Sequence, residues 1–302
     1  MKKRILALGL TVALAAASLA ACGGASTKTT EKATEAGTEQ GSEKATEAAK
    51  EEKADSGELR TYKLGVNGSD HEEWEKANEL LAKDNIKLEM VEFSDYVKPN
   101  EALEDGEIDL NAFQTEIYFN NFVKERGYTD LGILAYTQVA PMGIYSSKYK
   151  SLDEATGHLI IAIPNDVTNG GRALKFLEKN GFLTLKKEAG LTPTVMDIEK
   201  YNKDVEIVEM VATQIPASLP DLSFACINNG VAKDAGLTLK NDAIVYEDYK
   251  EPDMKNYWNI IAAKKDRIES EDFQKIKKAY NSDEVKQVVL EHYDGQSIPV
   301  WD

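Results

Sequence analysis

The stretch Ile163-Pro164-Asn165-Asp166-Val167-Thr168-Asn169-Gly170-Gly171-Arg172-Ala173-Leu174 brings together the residue types that hold an anion. An apolar strand stops at Pro164, a polar loop with glycines comes next, and a helix starts at its end. The carboxyl ends of strands in α/β sheets face the ligand crevice. A helix N-terminus there attracts negative charge, and the Arg172 guanidinium offers a fork that matches a carboxylate. The same residues also fit an ordinary helix cap with Arg172 in a surface ion pair, and both readings stand. A second stretch, Leu110-Asn111-Ala112-Phe113-Gln114-Thr115-Glu116-Ile117-Tyr118-Phe119, sets aromatics across a strand-to-helix junction. Tyr96 lies just upstream, in Phe93-Ser94-Asp95-Tyr96-Val97-Lys98-Pro99-Asn100. Aromatics in such places serve either as core or as the wall of a pocket.

Other chemistry finds little footing. There is no Gly-x-Ser-x-Gly, no Gly-rich phosphate loop and no Gly-x-Gly-x-x-Gly, so three common enzyme classes lack their positioning element. Cys226 sits in the apolar run Ser223-Phe224-Ala225-Cys226-Ile227 and reads as a buried small hydrophobe. The two cysteines exclude a disulfide scaffold, and the histidines at 71, 158 and 292 lack the paired spacing of a metal site. Acid pairs such as Glu72/Glu73, Asp153/Glu154 and Glu269/Glu271 lie among polar residues and read as solvated faces. These residues lead to the expectation of no cofactor, no metal site and no enzyme activity. A net charge of −16 argues against nucleic acid or an anionic membrane face as the main partner.

Three segments share that charge unequally. Residues 1–21 begin with Lys2, Lys3 and Arg4 and continue into an apolar run from Ile5 to Ala17, the pattern of a secretory signal. Leu19-Ala20-Ala21-Cys22 then resembles a bacterial lipobox, which makes Cys22 a lipid attachment point and not merely a small residue at a cleavage site. Residues 22–57 form a lipidated tether: from 25 onward no Val, Ile, Leu, Met or aromatic residue appears, so no core can form. Signal and tether carry opposite charges that cancel, so the whole excess of −16 belongs to residues 58–302.

In that body the hydrophobic period switches repeatedly between two and 3.6. Strands are expected at Tyr62–Val66, Ile86–Phe93, Ile108–Phe113, Leu159–Ile163, Val205–Met210, Phe224–Ile227 and Asn259–Ala263. Helices are expected through Trp74–Leu81, from Pro99 to Gly106, over Glu116–Arg126, over Ala173–Asn180, and near Ser270–Ala279 and Asp283–Tyr293. Such alternation implies an α/β fold with largely parallel sheets.

These words together resemble the methionine-binding lipoprotein family (the NlpA lipoproteins), substrate-binding components of methionine ABC importers. The matching words are Val91-Glu92-Phe93-Ser94-Asp95-Tyr96, Pro99-Asn100-Glu101-Ala102-Leu103, Asn111-Ala112-Phe113-Gln114, Ile163-Pro164-Asn165-Asp166, Thr168-Asn169, Gly171-Arg172-Ala173-Leu174 and Ile227-Asn228. The resemblance implies a two-lobed type II periplasmic-binding-protein-like fold with a hinge. One lobe would be 58–141 plus 243–302, the other 142–242. It implies that Arg172 clamps the ligand α-carboxylate, that Asn228 bonds the carboxylate or ammonium, and that Tyr96, Phe113 and Tyr118 wall the side-chain pocket. Thr115, Asn169 and Tyr201 would also contact ligand. Thr115 stands where the family often has His, and Tyr201-Asn202-Lys203-Asp204 where it tends to have Asn-Pro-Lys-Asn. Both departures bear on which ligand is held: L-methionine, D-methionine, a methionine-containing dipeptide or another apolar amino acid. The implied partners are an ABC permease and its ATPase, met on the extracytoplasmic face of the cell membrane. A surface adhesin or sensor on the same scaffold is the alternative of another class.

Overall fold

The computed structural model describes residues 57–301; the signal, Cys22 and the tether up to residue 56 lie outside the described residues. Four strands open the body: β1 (Arg60–Asn67), β2 (Ile86–Phe93), β3 (Leu110–Asn111) and β4 (Leu131–Val139). Between them run α1 (Glu72–Leu81), α2 (Lys98–Asp105) and α3 (Glu116–Arg126). The middle of the chain holds β5 (Gly143–Tyr145), β6 (Leu159–Pro164), α4 (Val167–Lys179), β7 (Leu183–Leu185), β8 (Ile198–Tyr201) and β9 (Val205–Met210). It continues through α5 (Ile215–Ser218), β10 (Phe224–Ile227), α6 (Asn229–Asp234) and β11 (Ala243–Tyr246). Last come β12 (Trp258–Lys264), α7 (Lys265–Ile268), α8 (Glu271–Tyr280), α9 (Asp283–His292) and β13 (Ile298–Pro299).

These strands form two main sheets, as the alternating pattern predicts for an α/β fold. The first runs β13-β4-β12-β3-β1-β2, the second β11-β5-β10-β6-β9, and β7 with β8 makes a small separate pair. Within each sheet a parallel group (β3-β1-β2 and β10-β6-β9) adjoins antiparallel neighbours, so the sheets are mixed and not largely parallel as expected, because the strands flanking the passages between them (β4, β5, β11 and β12) pair antiparallel. The chain passes from the first sheet to the second through residues 140–142 and returns through residues 247–257. Because β11 pairs with β5, the return comes after Tyr246, four residues later than the sequence division at 243.

Each sheet has its own core. Leu64, Val66, Ile86 and Leu88 pack with Trp74 and Leu81 of α1 and with Phe273, Ile276, Val285 and Val289 of α8 and α9. In the second, Ile161, Ile163, Phe224 and Cys226 pack against Leu174 and Leu177 of α4. Cys226 is thus a strand interior, and burial pushes its thiol far above the ordinary range.

Two expected elements change extent. The strand foreseen over Ile108–Phe113 shrinks to Leu110–Asn111, because the Glu107 and Ile108 amides turn back to Ala102 O at the end of α2. Helix α4 starts at Val167, six residues before the expected Ala173, because the Asp166 carboxylate caps it by accepting from the Asn169 N–H at 2.9 Å. The glycines expected in a loop are therefore helical. They serve close approach: a Cβ on Gly170 would lie 2.7 Å from Pro164 O, and one on Gly171 2.8 Å from Thr192 Cα.

Candidate functional site

The carboxyl ends of both parallel groups open onto one cavity of about 650 Å³, within the usual range of small-molecule sites. From the first sheet, β1 ends at Asn67, β2 leads into Ser94–Tyr96, and β3 leads through Phe113 to Thr115. From the second, β6 delivers the start of α4, and β10 ends beside Asn228, the residue preceding α6. Tyr96, Phe113, Thr115, Tyr118, Asn169, Arg172 and Asn228 all line the cavity, so seven of the eight expected ligand contacts converge. Tyr201 does not. It ends β8, pairs with Leu183 of the small separate sheet, and is 44% exposed. The adjacent Asn202 bonds Thr184 of the same strand pair.

The aromatic wall is a triangle. Ring centroids of Tyr96, Phe113 and Tyr118 lie 6.0–6.2 Å apart, with Tyr118 edge-on to both others. The Tyr118 hydroxyl donates to Tyr96 O at 2.8 Å, and burial raises both phenols well above the ordinary range. Thr115 caps α3, its hydroxyl accepting from the Tyr118 N–H, and so fixes the first turn that presents Tyr118. Behind this wall Asn100, Asn111 and Gln114 form a buried amide network. Asn100 Nδ2 donates to Gln114 Oε1 at 2.8 Å, Gln114 Nε2 to Asn100 Oδ1 and Asn111 Oδ1, and Asn111 Nδ2 to Asn100 Oδ1.

Across the cavity, Asp166 holds Asn169, and Asn169 Oδ1 accepts from Asn228 Nδ2 at 2.7 Å. Arg172 is 3% exposed. Its Nε and Nη2 bond the Glu247 carboxylate at 2.5–3.0 Å, and Nη2 also donates to Ala140 O at 2.9 Å. The guanidinium carbon stands 4.3 Å from the centroid of the Tyr257 ring, whose phenol burial pushes up to about 12. Nη1 makes no hydrogen bond to any described residue. The surface ion pair allowed by the sequence is thus replaced by a buried one.

Six buried side-chain polar atoms lack a partner among the described residues, and three of them belong to this cavity: Asn67 Oδ1, Gln138 Oε1 and Asn228 Oδ1. All three are acceptors. Asn67 is held by its amide, which donates to Phe93 O and Asp95 O at 2.9 and 3.0 Å. A buried acceptor without a donor is costly, so these groups mark where a ligand donor or water belongs.

One rim of the cavity is acidic. Glu73 is buried beneath the Tyr293 hydroxyl, which donates to it at 2.6 Å; burial pushes its carboxyl above the ordinary value despite that bond. Burial also pushes Asp70 up, but hydrogen bonds from His292 and Lys233 outweigh it and hold that carboxyl below normal. The sequence reading missed Asn67, Gln138 and Glu247. Asn67 opens a turn cluster, and Glu247 sits in the acid-rich run Tyr246-Glu247-Asp248, which looks like surface charge.

Comparison with known proteins adds three findings. A family model described as NlpA lipoprotein matches residues 62–301. The D-methionine-binding lipoprotein MetQ of Escherichia coli (strain K12) is 40% identical over 243 residues, 79% of this chain and 88% of that protein. Two solved structures superpose over 80% of the chain. One is the substrate-binding protein of a methionine transporter from Streptococcus pneumoniae, with TM-score 0.75, 38% identity and 96% of its chain covered. The other is a nutrient-binding protein from Burkholderia cenocepacia bound to methionine, with TM-score 0.75, 35% identity and all of its chain covered.

Proposed function

The chain belongs to the NlpA lipoprotein family, and from that premise we propose that it is the lipid-anchored binding protein of an ABC importer, capturing methionine or a close relative. The observation that carries the reading is the pairing, around one cavity, of an Arg172 amino group and three buried carbonyl oxygens that have no hydrogen-bond partner among the described residues. An α-amino acid zwitterion supplies what each lacks. Its carboxylate accepts from Arg172 Nη1, and its ammonium donates to Asn228 Oδ1 and its neighbours. The Tyr96–Phe113–Tyr118 triangle then receives an apolar, polarisable side chain, for which aromatic edges suit a thioether. The relatives named for methionine support that choice.

The lobes of this reading are 58–141 with 247–302, and 142–246, hinged at the two crossings. Ligand bridges them, shifts an open–closed equilibrium, and the closed form is what the permease and its ATPase recognise. Cys22 carries two acyl chains, enough for stable anchoring to the extracytoplasmic membrane face. Among the described residues no helix is long and apolar enough to cross a membrane.

Titration calorimetry and native mass spectrometry of the purified body test the reading. One methionine per chain is the expected result, with little binding of methioninol, which lacks the carboxylate. Absence of binding to L-methionine, D-methionine and methionyl dipeptides, or recovery of a chemically altered ligand, would sink it. For the anchor, the mass of the mature N-terminus should show a lipidated Cys22; an unmodified cysteine or a cut elsewhere contradicts it.

A further inference from the structure

The geometry points to Glu247 as the positioning and specificity-determining residue of the site: it aims the Arg172 clamp, restricts it to zwitterions, and ties it to both segments that join the sheets. This rests on the reading of Arg172 as the carboxylate clamp. A guanidinium is a planar fork with two usable edges and two faces. Glu247 takes the Nε–Nη2 edge, Ala140 O takes a further Nη2 donor, and the Tyr257 ring lies on a face. Nη1 is what remains for a ligand.

The same carboxylate reaches past the arginine. Glu247 Oε2 accepts from the Met142 N–H at 2.7 Å, and the Glu247 N–H donates to Met142 O at 3.0 Å. Ala140 and Met142 lie in the first crossing, Glu247 and Tyr257 in the second. Both crossings therefore meet at the clamp, and Arg172 cannot shift toward a ligand without disturbing the pair between them.

Charge gives the second consequence. A lone buried arginine would attract any small carboxylate. With Glu247 already opposite it, a second carboxylate makes two negative charges around one positive, which is unfavourable where the pair is buried. A ligand that carries its own ammonium restores the balance, with Asn228 Oδ1 ready to accept from it. Glu247 thus selects amino acids over simple carboxylic acids, although nothing places it against the ligand.

The test compares L-methionine with its des-amino analogue, 4-(methylthio)butanoate, by calorimetry on the wild-type protein, E247Q and E247D. In the wild type, methionine is strongly preferred. In E247Q, which keeps size but loses the charge, the preference shrinks by about tenfold or more because the analogue binds better. E247D keeps the charge on a shorter stem, so the preference persists while both ligands bind more weakly. Circular dichroism checks folding. An unchanged preference in folded E247Q overturns the charge role, and unchanged affinities in E247D overturn the aiming role, which remains decisive should E247Q fail to fold. A wild type that binds no methionine overturns the functional reading itself, a separate outcome.

Discussion

Asn169 and Asn228 meet at 2.7 Å although 59 residues separate them, because β6 and β10 run parallel side by side and release their helices at the same edge. The bond uses Asn228 Nδ2 and leaves Asn228 Oδ1 buried and unpaired. Its direction is fixed from behind by Asp166, whose two carboxylate oxygens accept from Asn169 Nδ2 and so leave Asn169 presenting its carbonyl. Asn228→Ala should therefore weaken methionine binding by roughly 1–3 kcal/mol, the cost of a lost hydrogen bond to a charged group. Calorimetry showing wild-type affinity would remove Asn228 from the ammonium site.

Arg172→Ala acts twice. It deletes the only group that pairs with the ligand carboxylate in this reading, costing on the order of 2–5 kcal/mol of affinity. It also strands Glu247 in a buried setting, so ligand-free stability should fall by about 3–5 kcal/mol. Arg172→Ala combined with Glu247→Gln should recover part of the stability and none of the affinity. Thermal melting and calorimetry separate the two effects; a single variant that loses affinity with no loss of melting temperature contradicts the buried pair.

Much of the site is readable from sequence because strand ends are readable. Ile163-Pro164 stops an apolar run, and the segment after such a stop in an α/β sheet faces the crevice. The glycines beyond it are harder, since Gly170 and Gly171 look like loop yet sit inside α4 to let it press on Pro164 and Thr192. Strand β4 shows no clear alternation, because Leu131–Val139 is covered on both faces over much of its length, and Gln138 is hidden with it. Glu247 pairs with a residue 75 positions away, a relation no local pattern carries. Tyr201 enters the expected site only through family resemblance, and the fold puts it on an exposed hairpin instead.

Glu73→Gln should stabilise the protein at neutral pH. Burial raises the Glu73 carboxyl in the folded state, so its ionisation opposes folding as pH rises above the ordinary carboxylate range. The amide is neutral throughout and its carbonyl can still accept from the Tyr293 hydroxyl. The gain should be absent in acid, where Glu73 is protonated folded or unfolded, and should grow as pH rises through the carboxylate range toward the folded value. Asp70 runs the other way. Its carboxyl is held below normal, so its contribution is present above the ordinary carboxylate range and lost as pH falls through the folded value. Melting curves of both variants, Glu73→Gln and Asp70→Asn, across pH should diverge with opposite signs; parallel curves would refute the assignment.

The amide network behind the aromatic wall sets the last expectation. Asn111 donates to Asn100 Oδ1 and Pro99 O and accepts from Gln114 Nε2, so it ties β3 to the first turn of α2 and to the residue after Phe113. Asn111→Ala would leave those partners buried with unmet bonds, at about 1–3 kcal/mol for an unsatisfied group. For a body of this size that is a melting shift of roughly 3–10 °C. Phe113 and Tyr118 are carried by the same segment, so the wall they form should loosen as well. Binding of methionine should then weaken more than binding of alanine, which makes no use of the wall. A variant that melts lower but keeps the wild-type ratio of the two affinities would limit the network to stability alone.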